Sequence, residues 1–225
     1  MRGVRTDRVR FDRAAARLAA LPDPLPAAPA ILMPVLVATG ERRPATGDVG
    51  RARPASVLVL VVRDDEGDAR VVLMERVAYD GFHSGEVSFP GGKAEPDDAD
   101  PVATALREAV EEVSLDPAAA RVEVLGTLER VWIPVSGFTI TPVVAVAHAR
   151  PALRPHPGEV ARIVEAPVSA FLPGADIVVV ERRVRDWDLR YGTYPVAGLE
   201  IWGATARILG QLGAVLGGAD EDGPA

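Results

Sequence analysis

The chain has 225 residues, 48% apolar and 25% charged, with a net charge of −7 and no cysteine. That length suffices for one fair-sized domain with its own core, and the composition is that of a soluble globular protein. The acidic balance argues against a dedicated nucleic-acid binder, and the missing cysteine excludes disulfides, thiolate metal sites and cysteine nucleophiles. No apolar run approaches the roughly 18 residues of a membrane span, so no membrane partner is expected. Residues 1–13 carry Arg without an apolar core segment; no signal peptide is predicted, and the expected compartment is cytoplasmic. Negative charge remains compatible with a small phosphorylated substrate when a metal supplies the positive charge.

In chain order, periodicity predicts an amphipathic helix over 9–21, with Phe11, Ala14, Leu18 and Leu21 on one face. Residues 21–34, rich in Pro and Ala, read as extended linker packed over the domain, and 40–54 as a mobile loop. Two β-rich runs, 56–63 and 69–77, flank Asp64-Asp65-Glu66-Gly67-Asp68 and predict a hairpin at the centre of a sheet. A loop over 79–90 leads into Gly91-Gly92. Asp100 as N-cap and Pro101 at the first position predict a helix running to Val113. Strands are predicted at 122–129, 139–148 and 162–165, then a short helix at 167–172. A second hairpin follows from 177–184 and 189–194, then a closing helix at 201–215. The expected division is a helix and Pro-rich extension over 1–50 packed on the domain, a domain over 51–215, and a disordered acidic tail over 216–225. Mixed strands with few, scattered helices predict an α+β fold rather than a doubly wound parallel one.

The helix at 101–113 carries the candidate chemistry. On a helical wheel Val102, Ala105, Leu106, Ala109, Val110 and Val113 form one apolar stripe, expected to pack on the sheet. Glu108, Glu111 and Glu112 share another arc of about a third of the circumference. Glu108 and Glu112 are a like-charged i, i+4 pair, which destabilises a helix by a few tenths of a kcal/mol. Three carboxylates so placed suit a hard cation such as Mg2+ or Mn2+. Taken alone, such a run is more often a solvated acidic face. Phe89-Pro90-Gly91-Gly92 upstream shifts the balance, because two glycines permit close backbone approach and a Gly carbonyl is a further hard ligand.

These residues resemble the box of the Nudix hydrolase family: Gly, five residues, Glu, seven residues, then Arg-Glu-apolar-x-Glu-Glu-x-Gly-apolar. Here Gly92 is followed after five residues by Asp98, and after eight more by Arg107-Glu108-Ala109-Val110-Glu111-Glu112-Val113-Ser114-Leu115. Asp98 replaces Glu, one residue is inserted, and Ser114 replaces the Gly that usually stops the helix. The resemblance implies a Nudix-type α/β/α sandwich with a mixed β-sheet. It implies Glu108 and Glu112 as principal metal ligands, with the Gly92 carbonyl beside them. Glu111 would be a further ligand or the base that activates water, and Arg107 would orient the carboxylates through an ion pair. The implied reaction is metal-assisted hydrolysis of a pyrophosphate, with Mg2+ or Mn2+ as cofactor.

Upstream, Arg76, Gly85 and Phe89-Pro90-Gly91-Gly92 have the spacing of the coenzyme A diphosphatase branch, which also tends to carry Asp98 and the longer gap. That branch's motif has a small residue where Val77 stands and a second Arg where Gly81 stands. Ile133-Pro134-Val135-Ser136-Gly137-Phe138, Thr141-Pro142-Val143-Val144, and Tyr194 with Ile201-Trp202-Gly203-Ala204-Thr205-Ala206 are similar too, so the resemblance covers about 56–209. It implies cleavage of CoA or acyl-CoA to (acyl-)4'-phosphopantetheine and adenosine 3',5'-bisphosphate. Arg76, His83 and Lys93 are the candidate substrate contacts; His83 alternatively orders its loop, and Lys93 is alternatively a plain surface lysine. Gly81 keeps open a substrate of the ADP-ribose or NADH type. A non-catalytic Nudix-like binding domain is opposed by the intact glutamates. The expected partner is a small nucleotide-type molecule, with a homodimer as the candidate assembly. Among single residues, Trp202 is read as core, Tyr194, Trp132 and Phe138 as core or pocket lining, and Glu95 as part of the acidic site or a solvated loop residue. His148 and His156 are read as structural or exposed.

Overall fold

The computed structural model describes residues 8–42, 52–77, 86–133, 136–184 and 186–218. They form α1 (Phe11–Leu18), β1 (Val35–Leu36), β2 (Arg53–Arg63), β3 (Ala69–Arg76), β4 (Val87–Ser88), β5 (Gly91–Lys93) and α2 (Pro101–Val113). After these come β6 (Val122–Thr127), β7 (Val131–Ile133), β8 (Phe138–Ala147), β9 (Val160–Pro167), β10 (Val178–Val184), β11 (Trp187–Val196), β12 (Leu199–Ile201) and α3 (Gly203–Gly217). Among the described residues, two 3-10 turns, Ala30–Leu32 and Val168–Phe171, interrupt the connections. None of the described helices is long and apolar enough to cross a membrane.

β2 and β3 form the predicted hairpin. Asp64 closes its turn by accepting from the amides of Glu66 (3.1 Å) and Asp68 (2.7 Å) and from Arg70 Nε (2.7 Å). β2 is central: β3 pairs with it antiparallel and β8 parallel, in the order β4-β3-β2-β8-β6. β5 also joins β2, β7 joins β8 and β9 joins β3, so the sheet is mixed. A second, smaller sheet has the order β1-β11-β10, with β12 on β11.

Alternation along β2 assigns its two faces. Val57, Val59 and Val61 join Phe11 and Leu18 of α1 and Ile208, Leu209 and Leu212 of α3 in one apolar cluster. Leu58, Leu60 and Val62 join Ala105, Ala109 and Val113 of α2 in another. Helices therefore cover both faces, the expected α/β/α sandwich. α3 lies very close to its neighbours: a Cβ at Gly213 would collide with the Phe171 carbonyl.

Several expectations need adjustment. Val110 is 46% exposed instead of buried in the apolar stripe. Val110 and Glu112 flank the stripe by similar angles, roughly 80° to either side. The Gly91–Lys93 strand covers the Glu112 flank, so burial spreads toward a charged residue and leaves Val110 in solvent. α1 is shorter than 9–21. The closing helix begins at Gly203 because Ile201 pairs with Tyr194 in β12. β1, β4, β5, β7 and β12 were not expected as strands; two or three residues show no period. Of the expected loops and tail, residues 43–51, 78–85 and 219–225 lie outside the described residues.

Candidate active site

α2 has defined ends. Asp100 Oδ1 accepts from the Ala103 amide (2.8 Å), and Pro101 occupies the first turn. Ser114 closes the helix in a left-handed conformation (φ 54°, ψ 36°). Between those ends, the charged flank of the helix lies against the Gly91-Gly92 segment.

Glu112 is 3% exposed. Its Oε2 accepts from the Gly91 amide (2.8 Å) and its Oε1 from Arg76 Nη2 (3.0 Å). Burial pushes its carboxyl up to about 7 against the opposing pull of the Gly91 amide and Arg76; the charges of Glu108 and Glu159 add to the rise. Glu108 is also raised, chiefly by burial, with Arg107 opposing. Its carboxylate rests on Gly92, where a Cβ would lie 2.6 Å from Glu108 Cδ. Gly91 has φ +154°, and a Cβ there would lie 2.6 Å from Val57 Cα. One glycine thus lets the loop press on β2, and the next admits the glutamate.

Arg107 ties loop to helix. Its Nε and Nη2 donate to the two Asp98 oxygens (3.0 Å each), Nη2 also donates to the Lys93 carbonyl (3.1 Å), and Nη1 donates to Glu111 Oε2 (3.2 Å). Nη1 pairs with Glu108 Oε1 as well (3.2 Å). Asp98 further accepts from Thr104 Oγ1 and the Glu95 amide (2.9 Å each). The Arg107 guanidinium holds the Asp98 carboxyl well below the usual carboxylate range. Asp98 therefore reaches its partner despite being shorter than Glu, and it acts as a clasp.

A cavity of about 990 Å³ opens beside this helix–loop junction. Gly91, Gly92, Arg76 and Lys93 line its box side; Trp132, Ile133, Phe138, Val184 and Trp202 supply apolar wall; Arg42, Arg130 and Arg207 bring further positive charge. Ser88, also a lining residue, has a buried Oγ without a hydrogen-bond partner among the described residues. Gly203, Ala204 and Thr205, the first turn of α3, complete the wall.

The structure brings together Arg76, Gly92, Lys93, Arg107, Glu108, Glu111 and Glu112. Glu111 is 57% exposed and engaged by Arg107. His83, with Gly81 and Gly85, lies outside the described residues. Tyr194 is core, edge-to-face with Phe171 (5.1 Å between centroids). Trp202 is only half-buried: it lines the cavity and stacks on Tyr191 (5.1 Å), because the β12–α3 junction brings it out of the core. Trp132 and Phe138 are cavity wall. Glu95 is exposed, and its amide serves Asp98. His148 pairs with Glu123 (2.7 Å), and the His156 amide donates to the Glu112 carbonyl (2.8 Å). Sequence reasoning missed Arg42, Arg130, Arg207, Ser88 and Glu159. Nothing local marks them, since each belongs to a different element.

Among the described residues, no three acidic or imidazole side chains converge as a ready-made cation cage, because Arg76 and Arg107 already engage the carboxylates. The donor set nonetheless fits a hard divalent cation. Glu108 and Glu112 are oxygen donors against the same glycine loop, and burial raises both carboxyls, an effect that a bound cation would oppose.

The sequence profile of the NUDIX domain matches residues 52–186, and the chain belongs to the Nudix family. Nudix hydrolase 15, mitochondrial, of Arabidopsis thaliana is 37% identical over 183 residues, covering 76% of this chain and 62% of that protein. The chain thus spans less than two thirds of that relative. An uncharacterized Nudix hydrolase NudL of an Enterobacter species is 36% identical over 172 residues, covering 76% of this chain and 86% of the relative. Among solved structures, the Nudix hydrolase RenU of M. smegmatis is similar at 24% identity and a TM-score of 0.44, over 53% of this chain and 73% of that one.

Proposed function

We propose that this chain is a pyrophosphohydrolase of nucleoside diphosphate derivatives, and that its substrate is CoA or acyl-CoA, cleaved to (acyl-)4'-phosphopantetheine and adenosine 3',5'-bisphosphate. The observation that carries the reaction is the pair Glu112, buried, and Glu108, half-buried, set against Gly91-Gly92, which line a large cavity. Holding two repelling carboxylates partly out of water is costly and calls for a cation. Glu108, Glu112 and the Gly92 carbonyl are the groups that would hold it. Mg2+ or Mn2+ bound there neutralises charge on the pyrophosphate and acidifies a water.

The chain's own groups do the rest. Glu111, steadied by Arg107 yet open to solvent, would take the proton of an attacking water. Arg76 spends one N–H on Glu112 and keeps its other donors for a phosphate oxygen; Lys93 adds a second cation. The apolar wall suits a pantetheine or acyl arm, and the cavity volume of about 990 Å³ supports CoA over a compact nucleotide.

The test is a substrate panel with product identification, with and without Mg2+ and Mn2+. Metal-dependent release of adenosine 3',5'-bisphosphate from CoA is expected. Turnover of ADP-ribose or NADH with none of CoA would overturn the substrate. Glu112→Gln is expected to cost about 10²-fold or more in kcat while the far-UV spectrum stays unchanged. A parent inactive on the whole panel would make the chain a binding domain.

A further inference from the structure

We infer that Arg42, Arg130 and Arg207 form a second anion subsite in the cavity, which receives a phosphomonoester carried by the substrate in addition to its pyrophosphate. The inference rests on the proposed pyrophosphohydrolase reading and deepens it.

Arg207 lies in the second turn of α3, half-buried in the cavity wall beside Ala204 and Ile208. It makes no hydrogen bond or ion pair among the described residues. A guanidinium has five N–H donors, and taking it partly out of water without a partner is unfavourable. Burial lowers its affinity for its proton, the nearby charge of Arg42 lowers it further, and only Glu129 opposes. Arg42, which pairs by its backbone with Val35, and Arg130, just before β7, line the same cavity. Neither has a described side-chain partner. The Arg130 segment is held on α3 because Gln211 Oε1, one turn beyond Arg207, accepts from the Glu129 amide (3.0 Å).

Three arginines from distant parts of the chain thus share one cavity, where Glu86 is the one carboxylate among the lining residues described and Glu129 the one that opposes at Arg207. Surface arginines would spread apart or find carboxylates, as Arg182 does with Glu200 (2.7 and 2.8 Å). An ionised ligand is what the arrangement lacks. The pyrophosphate is not that ligand, because Arg76 and Lys93 already serve the box side from β3 and β5. Arg42 and Arg207 lie outside residues 52–186, the stretch matched by the family profile. A phosphomonoester, with two charges and three acceptor oxygens, suits a fork of guanidinium groups.

The experiment has a binding arm and a kinetic arm, both on the full chain. Calorimetry without metal compares adenosine 3',5'-bisphosphate, adenosine 2',5'-bisphosphate and AMP. The 3',5'-bisphosphate is expected to bind about 10-fold or more tighter than AMP, and Arg207→Met to reduce that preference to about twofold. Kinetics compare CoA with 3'-dephospho-CoA. Arg207→Met and Arg130→Ala, the second an exposed position that spares the fold, are expected to lower kcat/KM for CoA roughly 10-fold or more through KM. Turnover of 3'-dephospho-CoA should stay within about twofold. Equal losses on both substrates, or no bisphosphate preference in the parent, would overturn the subsite. Preference for the 2',5'-isomer would uphold the subsite and reassign its phosphate. If CoA is not cleaved but the preference exists and falls in Arg207→Met, the subsite stands and the substrate reading fails. If CoA and 3'-dephospho-CoA are cleaved alike by parent and variants, the subsite fails and the reaction stands.

Discussion

At Ser114 the backbone sits at φ 54°, where the Cβ of an L-residue crowds its own carbonyl. The residue is solvent-exposed and makes no cap with its side chain. Glycine there removes roughly 1–2 kcal/mol of crowding and adds back some unfolded-chain entropy. Ser114→Gly is therefore expected to stabilise by about 0.5–1 kcal/mol, a rise of about 2 °C in melting temperature with kcat unchanged. Glu112 makes a second prediction. Its carboxyl is raised from 4.5 to about 7, so the folded protein keeps a proton that the unfolded chain releases in that interval. Metal-free stability should then fall as pH rises from 5 to 8, by about 3 kcal/mol at most. Glu108 shifts the same way. Asp98 and Asp64 shift downward, so their contributions are complete above about pH 4 and do not mask the slope. Melting in EDTA across that range reads the effect, and Mn2+ should restore most at pH 8. A melting temperature in EDTA that climbs from pH 5 to 8 would refute it.

At the scale of elements, α2 is the part whose sequence and structure agree most closely. Asp100, Pro101 and the run to Val113 all signal locally, through a cap, a fixed φ and an apolar period. Asp100→Ala should cost about 1 kcal/mol in chemical denaturation and leave kcat/KM within about twofold, since the cap touches no site group. The site on that helix was legible as residue types, because Glu108, Glu111 and Glu112 share an arc. Their different states were not legible. Glu112 is buried, Glu108 half-buried and Glu111 exposed, and that ranking depends on how Gly91-Gly92 lies across the helix. Val110 was misplaced for the same reason: periodicity locates the centre of a buried stripe, while the neighbouring segment decides which edge is covered.

For the molecule as a whole, α1 belongs to the core despite preceding the family domain. Phe11 and Leu18 pack with β2, β3 and α3 in the larger cluster. Phe11→Ala should cost about 3–5 kcal/mol, measured by urea denaturation, although the residue is remote from the box. An effect under about 1 kcal/mol would mean that α1 is dispensable. Sequence alone determined the central hairpin, the capped acidic helix and the glycine pair before it. Each of these is written in spacing a few residues long. Only the tertiary structure decided the smaller sheet, the burial of Glu112 and the meeting of Arg42, Arg130 and Arg207 in one cavity. β1 pairs with β11 from the far end of the chain, and strands of two or three residues carry no periodic signal. Contacts of that kind are made by the packing of distant segments, and no local pattern encodes which of many arginines will face one another.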